Sequence, residues 1–308
     1  MAVTIEYGRS GSGKSVSCLD KIKEYVEQGM DKIILMVPEQ LSYYAEKRLV
    51  DTIGFSCMNI AEVLSFERLA HRFSPASLHN DIDNAGKSMI VSHMLSQMNQ
   101  KMSYFKQSSR KPGFVCEVLR LLKELKHYNV DVTKLNEIAN DDATRAVLKE
   151  KITDLNQIYV AYYEKMAGYF DADDSLRKLS AHLNESHDLE GYHIFIDEFS
   201  DFLPQYFEVI KNLMVDAEVH FYICADERYP LKFQTGLKAI KAIERYCQDF
   251  GITCQKTCQS DVLRYGENAK DLKHLEENYG VYPYTVYGDS SERIRLFCYD
   301  NIYGEVEA

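Results

Sequence analysis

Residues 8–15 read Gly8-Arg9-Ser10-Gly11-Ser12-Gly13-Lys14-Ser15 and meet the pattern G-x-x-x-x-G-K-[ST]. Such a stretch can do one kind of chemistry well. Its glycines let backbone N–H groups turn inward around the β- and γ-phosphates of a nucleotide, and the helix that follows adds the positive end of its dipole. Lys14 would reach the β/γ oxygens, and the Ser15 hydroxyl would coordinate Mg²⁺. A second candidate is "IFIDEF" at 194–199, an apolar run ending in two carboxylates. Asp197 would hold the same Mg²⁺, and Glu198 would orient and activate an attacking water. The bland reading of the first is a Gly/Ser turn between strand and helix; the second is weak by itself, since many strands end in acidic residues at a helix cap. Together they imply a site for an ATP- or GTP-type nucleotide with Mg²⁺.

The elements that must position these groups follow from the apolar pattern. Residues 3–7 read as a strand running into the loop, and 14–28 as a helix with Val16, Leu19, Ile22 and Val26 on one face. "KIILMV" at 32–37 is a continuous apolar run, as a strand buried on both faces requires. A helix over about 40–53 and a short strand at 57–60 follow. From 84 to 170 the pattern is helical, with stripes at Met94, Met98, Met102 and Phe105, at Val115, Val118, Leu122 and Leu125, and at Leu148, Ile152, Leu155, Tyr159, Tyr162 and Met166. These stripes read as helix-on-helix packing, with loops at 106–113 and 129–145. Alternation resumes with strand 193–199, helix 204–215, strand 219–223 and helix 234–250; a last strand is expected at 293–299. The fold class expected is α/β, a P-loop NTPase (RecA-like) parallel sheet flanked by helices, with an inserted all-helical subdomain. Its divisions would be 1–75 and 189–292 for the sheet domain, 76–188 for the insertion and 293–308 for the start of a following domain.

Composition narrows the partners. Among 308 residues, 36 Lys and Arg face 47 Asp and Glu, a formal net charge of −11 that argues against indiscriminate nucleic-acid binding through the overall field. A local basic groove is compatible with it; Arg68, His71 and Arg72 form one candidate edge, and Lys101, Lys106, Arg110 and Lys111 another. No apolar run reaches the length of a membrane span, and no secretory pattern precedes the loop, so no membrane partner and a cytoplasmic location are expected. The eight Cys read as reduced thiols, and the spacing of Cys247, Cys254 and Cys258 matches no usual zinc pattern.

Three further stretches, "ILMVPEQLSYYAEKRL" (34–49), "VLSFERLAHR" (63–72) and "FIDEFSDFLPQ" (195–205), stand in a fixed order around the two nucleotide motifs, and the chain closes on "NIYGEVEA". In that order the sequence resembles the first motor domain of UvrD-like superfamily 1 helicases. More closely, it resembles the N-terminal region of the AddB/RexB family of ATP-dependent helicase/nucleases, over nearly the whole chain. The resemblance implies a role in double-strand break repair beside an AddA-like motor subunit, with ATP and Mg²⁺ bound and single-stranded DNA as a further partner. It carries the nucleotide-binding role to 8–15 and Asp197, the catalytic role to Glu198, and the metal-binding role to Ser15 and Asp197. Gln40, Ser65, Phe66 and Arg68 fall where such helicases touch single-stranded DNA. Family members are several-fold longer and end in a nuclease domain with an iron–sulfur cluster; no cluster is assigned to this chain.

Departures from the helicase pattern bear on turnover. Where helicases carry G-D-x-x-Q-S-I-Y, this chain reads "ICADERYP" at 223–230, with Asp226 but no matching Gln. Helicases supply their arginine fingers largely from a second domain, expected beyond residue 308, with Arg264 a remote candidate here. Such a finger contributes about 10³–10⁵ in rate. The expectation is therefore a nucleotide holder with little or no independent motor activity. Two alternatives stay open: a P-loop kinase of a small metabolite, and a scaffold domain with a vestigial site.

Overall fold

The computed structural model describes residues 2–55, 59–73, 82–141, 144–169, 171–259, 264–265 and 269–307. Cys57 and the 75/76 boundary lie outside them. Strand β1 (Ala2–Gly8) enters the 8–15 loop and helix α1 (Lys14–Glu27) leaves it. Strand β2 (Ile33–Met36), helix α2 (Ser42–Ile53), strand β3 (Ala61–Leu64) and helix α3 (Phe66–Phe73) follow. Helices α4 (Asn84–Met98), α5 (Pro112–His127), α6 (Val132–Asn140), α7 (Ala146–Met166) and α8 (Ser175–Ser186) precede the return to the sheet. There the chain runs through β4 (His193–Ile196), α9 (Pro204–Asp216), β5 (Glu218–Cys224), α10 (Gln234–Phe250) and β6 (Thr253–Gln259). Short helices α11 (Lys270–Asn278) and α12 (Ile302–Glu307) come last.

The six strands form one sheet in the order β3-β2-β4-β5-β1-β6, with every neighbouring pair parallel. Parallel pairing puts all C-terminal strand ends on one edge. Adjacent β4, β5 and β1 therefore bring Asp197, Cys224 and Gly8 to the same rim, although they are distant in sequence. Both faces of the sheet are covered, as the continuous apolar runs demand. Ile34, Met36, Ile194, Ile196 and Phe221 point into a core shared with α3, α8, α9 and α10. Ile33, Leu35, Phe195 and Tyr222 point the other way, against Leu19, Ile22 and Tyr25 of α1 and Ala45 and Leu49 of α2.

A third apolar cluster lies within α4–α7, built on Met94, Val118, Leu122, Ile158 and Tyr162. The expected stripes meet in it, except that Leu148 is exposed. Helix α8 behaves differently: its Leu176, Leu179 and Leu183 pack into the sheet's core. Within the 76–188 stretch, α8 thus shares its core with the sheet.

Several expectations are corrected. The third strand is 61–64; of the expected 57–60, residues 57 and 58 lie outside the described residues, and 59–60 form the turn that leads into β3. Helix α6 occupies the middle of the supposed 129–145 loop, capped by Asp131, whose carboxylate accepts the Lys134 N–H at 2.9 Å. Helix α5 begins inside the other expected loop, at Pro112. Residues 293–299 form no strand; the sheet's last strand is instead β6, "TCQKTCQ", which pairs with β1 from the edge.

Candidate functional site

A cleft of about 560 Å³ opens at the C-terminal rim, bounded by the 8–15 loop, by Asp197–Ser200 after β4, and by Tyr222 and Cys224 of β5. The loop owes its path to two glycines in the left-handed region, Gly11 at φ 85° and Gly13 at φ 95°. Gly8 is needed for space: a Cβ there would stand 2.5 Å from the Gln259 carbonyl oxygen on β6. The Gly8 carbonyl also accepts the Ala225 N–H at 3.1 Å, tying the loop's base to β5.

Lys14 begins α1 and is 8% exposed. Its Nζ donates to the Gly8 and Arg9 carbonyls at 2.9 and 2.8 Å, so the ammonium curls under the loop. Burial pushes its pKa down, against the pull of Cys224, Asp197, Glu198 and Glu6. An ammonium has three donors, and two are used on the loop itself. Ser15 Oγ donates to Glu198 Oε1 at 2.9 Å. Asp197 is anchored by its N–H on the Met36 carbonyl at 3.0 Å, and its Oδ1 accepts the Glu198 N–H at 2.8 Å. Burial pushes the Asp197 carboxyl up to about 6; the Ser15 hydroxyl opposes that rise and the Glu198 charge adds to it. Glu198 sits at φ 64°, a conformation that costs a non-glycine residue about 1–3 kcal/mol and that persists where surroundings over-determine it.

The sequence candidates divide by placement. Ser10, Gly11, Gly13, Lys14, Ser15, Asp197 and Glu198 line the cleft together. Arg9 does not: it is 3% exposed, and its guanidinium turns behind the loop onto Asp226 at 2.7 Å and onto Glu276 of α11. Its Cζ lies 4.6 Å from the centre of the Tyr229 ring. Ser12 is buried, and its Oγ has no hydrogen-bond partner among the described residues. Arg264 reaches the loop, its Nη2 donating to Ser10 Oγ at 3.1 Å and its backbone N–H to the Gly11 carbonyl at 3.2 Å. Asp226 lies away from the cleft, between Arg9 and Arg228.

The DNA-contact candidates scatter in exposure. Gln40 is exposed on the short 3₁₀ turn Glu39–Leu41. Ser65 is buried and caps α3, its Oγ accepting the Arg68 N–H at 3.2 Å. The Phe66 ring is 1% exposed and stacks on Tyr206 at 4.2 Å, so it offers no face to a base. Arg68 is exposed and pairs with Glu46 at 3.2 Å, while Arg72 pairs with Glu62 at 3.4 Å. In the second basic group, Arg110 donates to the Asn99 side-chain Oδ1 at 3.0 Å. Sequence reasoning missed Tyr222 and Cys224, which the strand at 219–223 could have suggested as the cleft floor. It also missed Arg48, which no local pattern marks.

The donor set suits a polyphosphate with a divalent cation: a buried ammonium under glycine backbone, then a hydroxyl and two carboxylates converging beside it. Proteins named as the B-subunit of ATP-dependent helicase/deoxyribonuclease from Clostridium tetani (strain Massachusetts / E88) and Caldanaerobacter subterraneus subsp. tengcongensis are 32% identical to the chain over alignments 327 and 320 positions long, gaps included. The protein of the same name from Clostridium novyi (strain NT) is 31% identical over 322. Each alignment covers 100% of this chain and 28% of the relative, so the chain spans little over a quarter of the proteins it matches. The family described as "ADDB, N-terminal" matches residues 5–276, a stretch that takes in every residue lining the cleft. The chain belongs to the AddB N-terminal family.

Proposed function

We propose that this chain is a nucleotide-binding, helicase-like unit of an AddB-type ATP-dependent helicase/nuclease, holding ATP and Mg²⁺ at the 8–15 loop without independent motor activity. The observation that carries this reading is the buried Lys14 ammonium on its loop carbonyls, with Ser15, Asp197 and Glu198 gathered beside it. Lys14 and the loop N–H groups would take the phosphate oxygens, and Ser15 and Asp197 the metal. Bound there, Mg²⁺ would neutralise phosphate charge. Glu198 is the group that would accept a proton from water, while its carboxylate is engaged by Ser15. A RecA-like reading of the sheet fits the rim geometry, in which one strand separates the loop's strand from the acidic one. Helices α4–α7, with their own apolar cluster, would form the inserted unit.

We infer the wider role from the resemblance: double-strand break repair in the cytoplasm, paired with an AddA-like motor subunit, on single-stranded DNA. Gln40 and Arg68 are the exposed contacts, and any phosphate binding by Arg68 must displace Glu46. DNA affinity should accordingly fall steeply with added salt.

Calorimetric titration with Mg²⁺ and a non-hydrolysable ATP analogue tests the site. Lys14→Ala should abolish binding and leave the melting transition in place; Glu198→Gln should leave binding intact. Equal binding by Lys14→Ala would refute the placement. No binding by the parent chain would favour the scaffold alternative.

A further inference from the structure

Arg48 projects from α2 to the edge of the nucleotide cleft. Its Nη1 stands 3.9 Å from Glu198 Oε1, the same oxygen that accepts the Ser15 hydroxyl at 2.9 Å. Its guanidinium lies 5.6 Å from the ring of Tyr44, one turn earlier on α2. With Tyr44, Ser15, Asp197 and Glu198, Arg48 lines a crevice between α1 and α2. Two carboxylates and a hydroxyl thus converge on one place, and a cation of the protein's own already lies against one of them.

We infer that Arg48 is a positioning residue that serves as the resident countercation of Glu198, and that a metal ion held by Ser15 and Asp197 competes with it. This rests on the reading that the cleft takes a nucleotide with Mg²⁺. A divalent ion brought beside Glu198 repels the guanidinium and shares its carboxylate. Metal binding therefore weakens the hold on Arg48, and by linkage Arg48 weakens the metal to the same extent.

The test is a binding cycle, independent of turnover. The dissociation constant of a non-hydrolysable ATP analogue is measured by calorimetry in EDTA and again in Mg²⁺, and the ratio isolates the metal's contribution. Arg48→Met should raise that ratio about threefold to fivefold, the range of a partly exposed ion pair, whereas Arg48→Lys, which keeps the charge, should not. If Arg48→Met loses its melting transition, Arg48→Gln removes the charge with a shape closer to the original. A ratio unchanged or lowered in the charge-removing variant overturns the inference. Asp197→Asn, run alongside, separates the two layers. If it collapses the ratio while Arg48→Met does not move it, only the role of Arg48 fails. If it leaves the ratio untouched, the metal is not held there, and the reading of the cleft fails with the inference.

Discussion

Asp226 shows how much a single carboxylate does behind the cleft. Arg9 reaches it at 2.7 Å from one side and Arg228 at 2.9 Å from the other. Burial alone would raise its pKa, but the hydrogen bonds from Arg228 and Arg9 outweigh it and hold the carboxyl down at about 2, against an ordinary 3.8. A depressed carboxylate stabilises the fold above its unfolded pKa and loses that contribution as pH falls through the folded value. Here the window runs from about pH 4 down to about pH 2. Asp226→Asn should cost about 2 kcal/mol at pH 7, and the gap from the parent should close across that window in urea titrations. A constant gap would mean that Asp226 acts through shape and not through charge. The Asp197 carboxyl has the opposite sign. Its pKa, raised to about 6 by burial, makes the unliganded fold less stable as pH rises from about 4 to about 6, and Asp197→Asn should remove that slope.

At the scale of elements, α3 illustrates a segment whose apparent ligand residues build the core. "SFERLA" places Phe66 against Tyr206 and Phe199, and Leu69 and Ala70 beside it in the sheet's core. Ser65 holds the first turn. Phe66→Ala should cost about 3–5 kcal/mol in unfolding free energy, whereas Arg68→Ala, at an exposed ion pair, should cost less than about 1 kcal/mol. A Phe66→Ala variant as stable as the parent would release the ring for a surface role. Helix α2 stands in contrast. Its inner face, Ala45 and Leu49, is ordinary core, yet its polar edge carries Arg48 to the carboxylate after β4.

Across the whole molecule, the helical cluster and the sheet meet at a buried ionic knot. Asp171 accepts from Lys87 of α4 at 3.1 Å, from Lys126 of α5 at 2.7 Å and from the Tyr162 hydroxyl of α7 at 2.9 Å. Lys126 also reaches Asp174, which leads directly into α8, and α8 belongs to the sheet's core. Burial works against the Asp171 charge, but Lys126 and Lys87 overcome it and keep the carboxyl far below its usual range. Asp171→Ala would leave two buried ammonium groups underpaired, at a cost of about 3–5 kcal/mol. Hydrogen exchange should then show α4, α5 and α7 opening ahead of the sheet. Uniform loss of protection would show instead that the two cores unfold as one.

Strands β2, β4 and β5 and the 8–15 loop were legible in the sequence because their constraints are local. A strand covered on both faces needs consecutive apolar residues, and a tight strand-to-helix loop needs glycines at fixed steps. Helices α4, α5 and α7 were legible for a similar reason, since a 3.6-residue period must bury one stripe. Strand β6 was not: "TCQKTCQ" has one neighbour and little burial, so pairing with β1 and not its composition makes it a strand. Arg9 fits the loop motif, yet only the tertiary arrangement, with Asp226 and Glu276 behind it, turns the side chain away from the cleft. The contact of Arg48 with Glu198 exists because parallel pairing carries β4 beside β2 and so brings the carboxylate next to α2. Residue types and spacing thus determined which chemistry was at hand, and the folded sheet decided which of those groups meet.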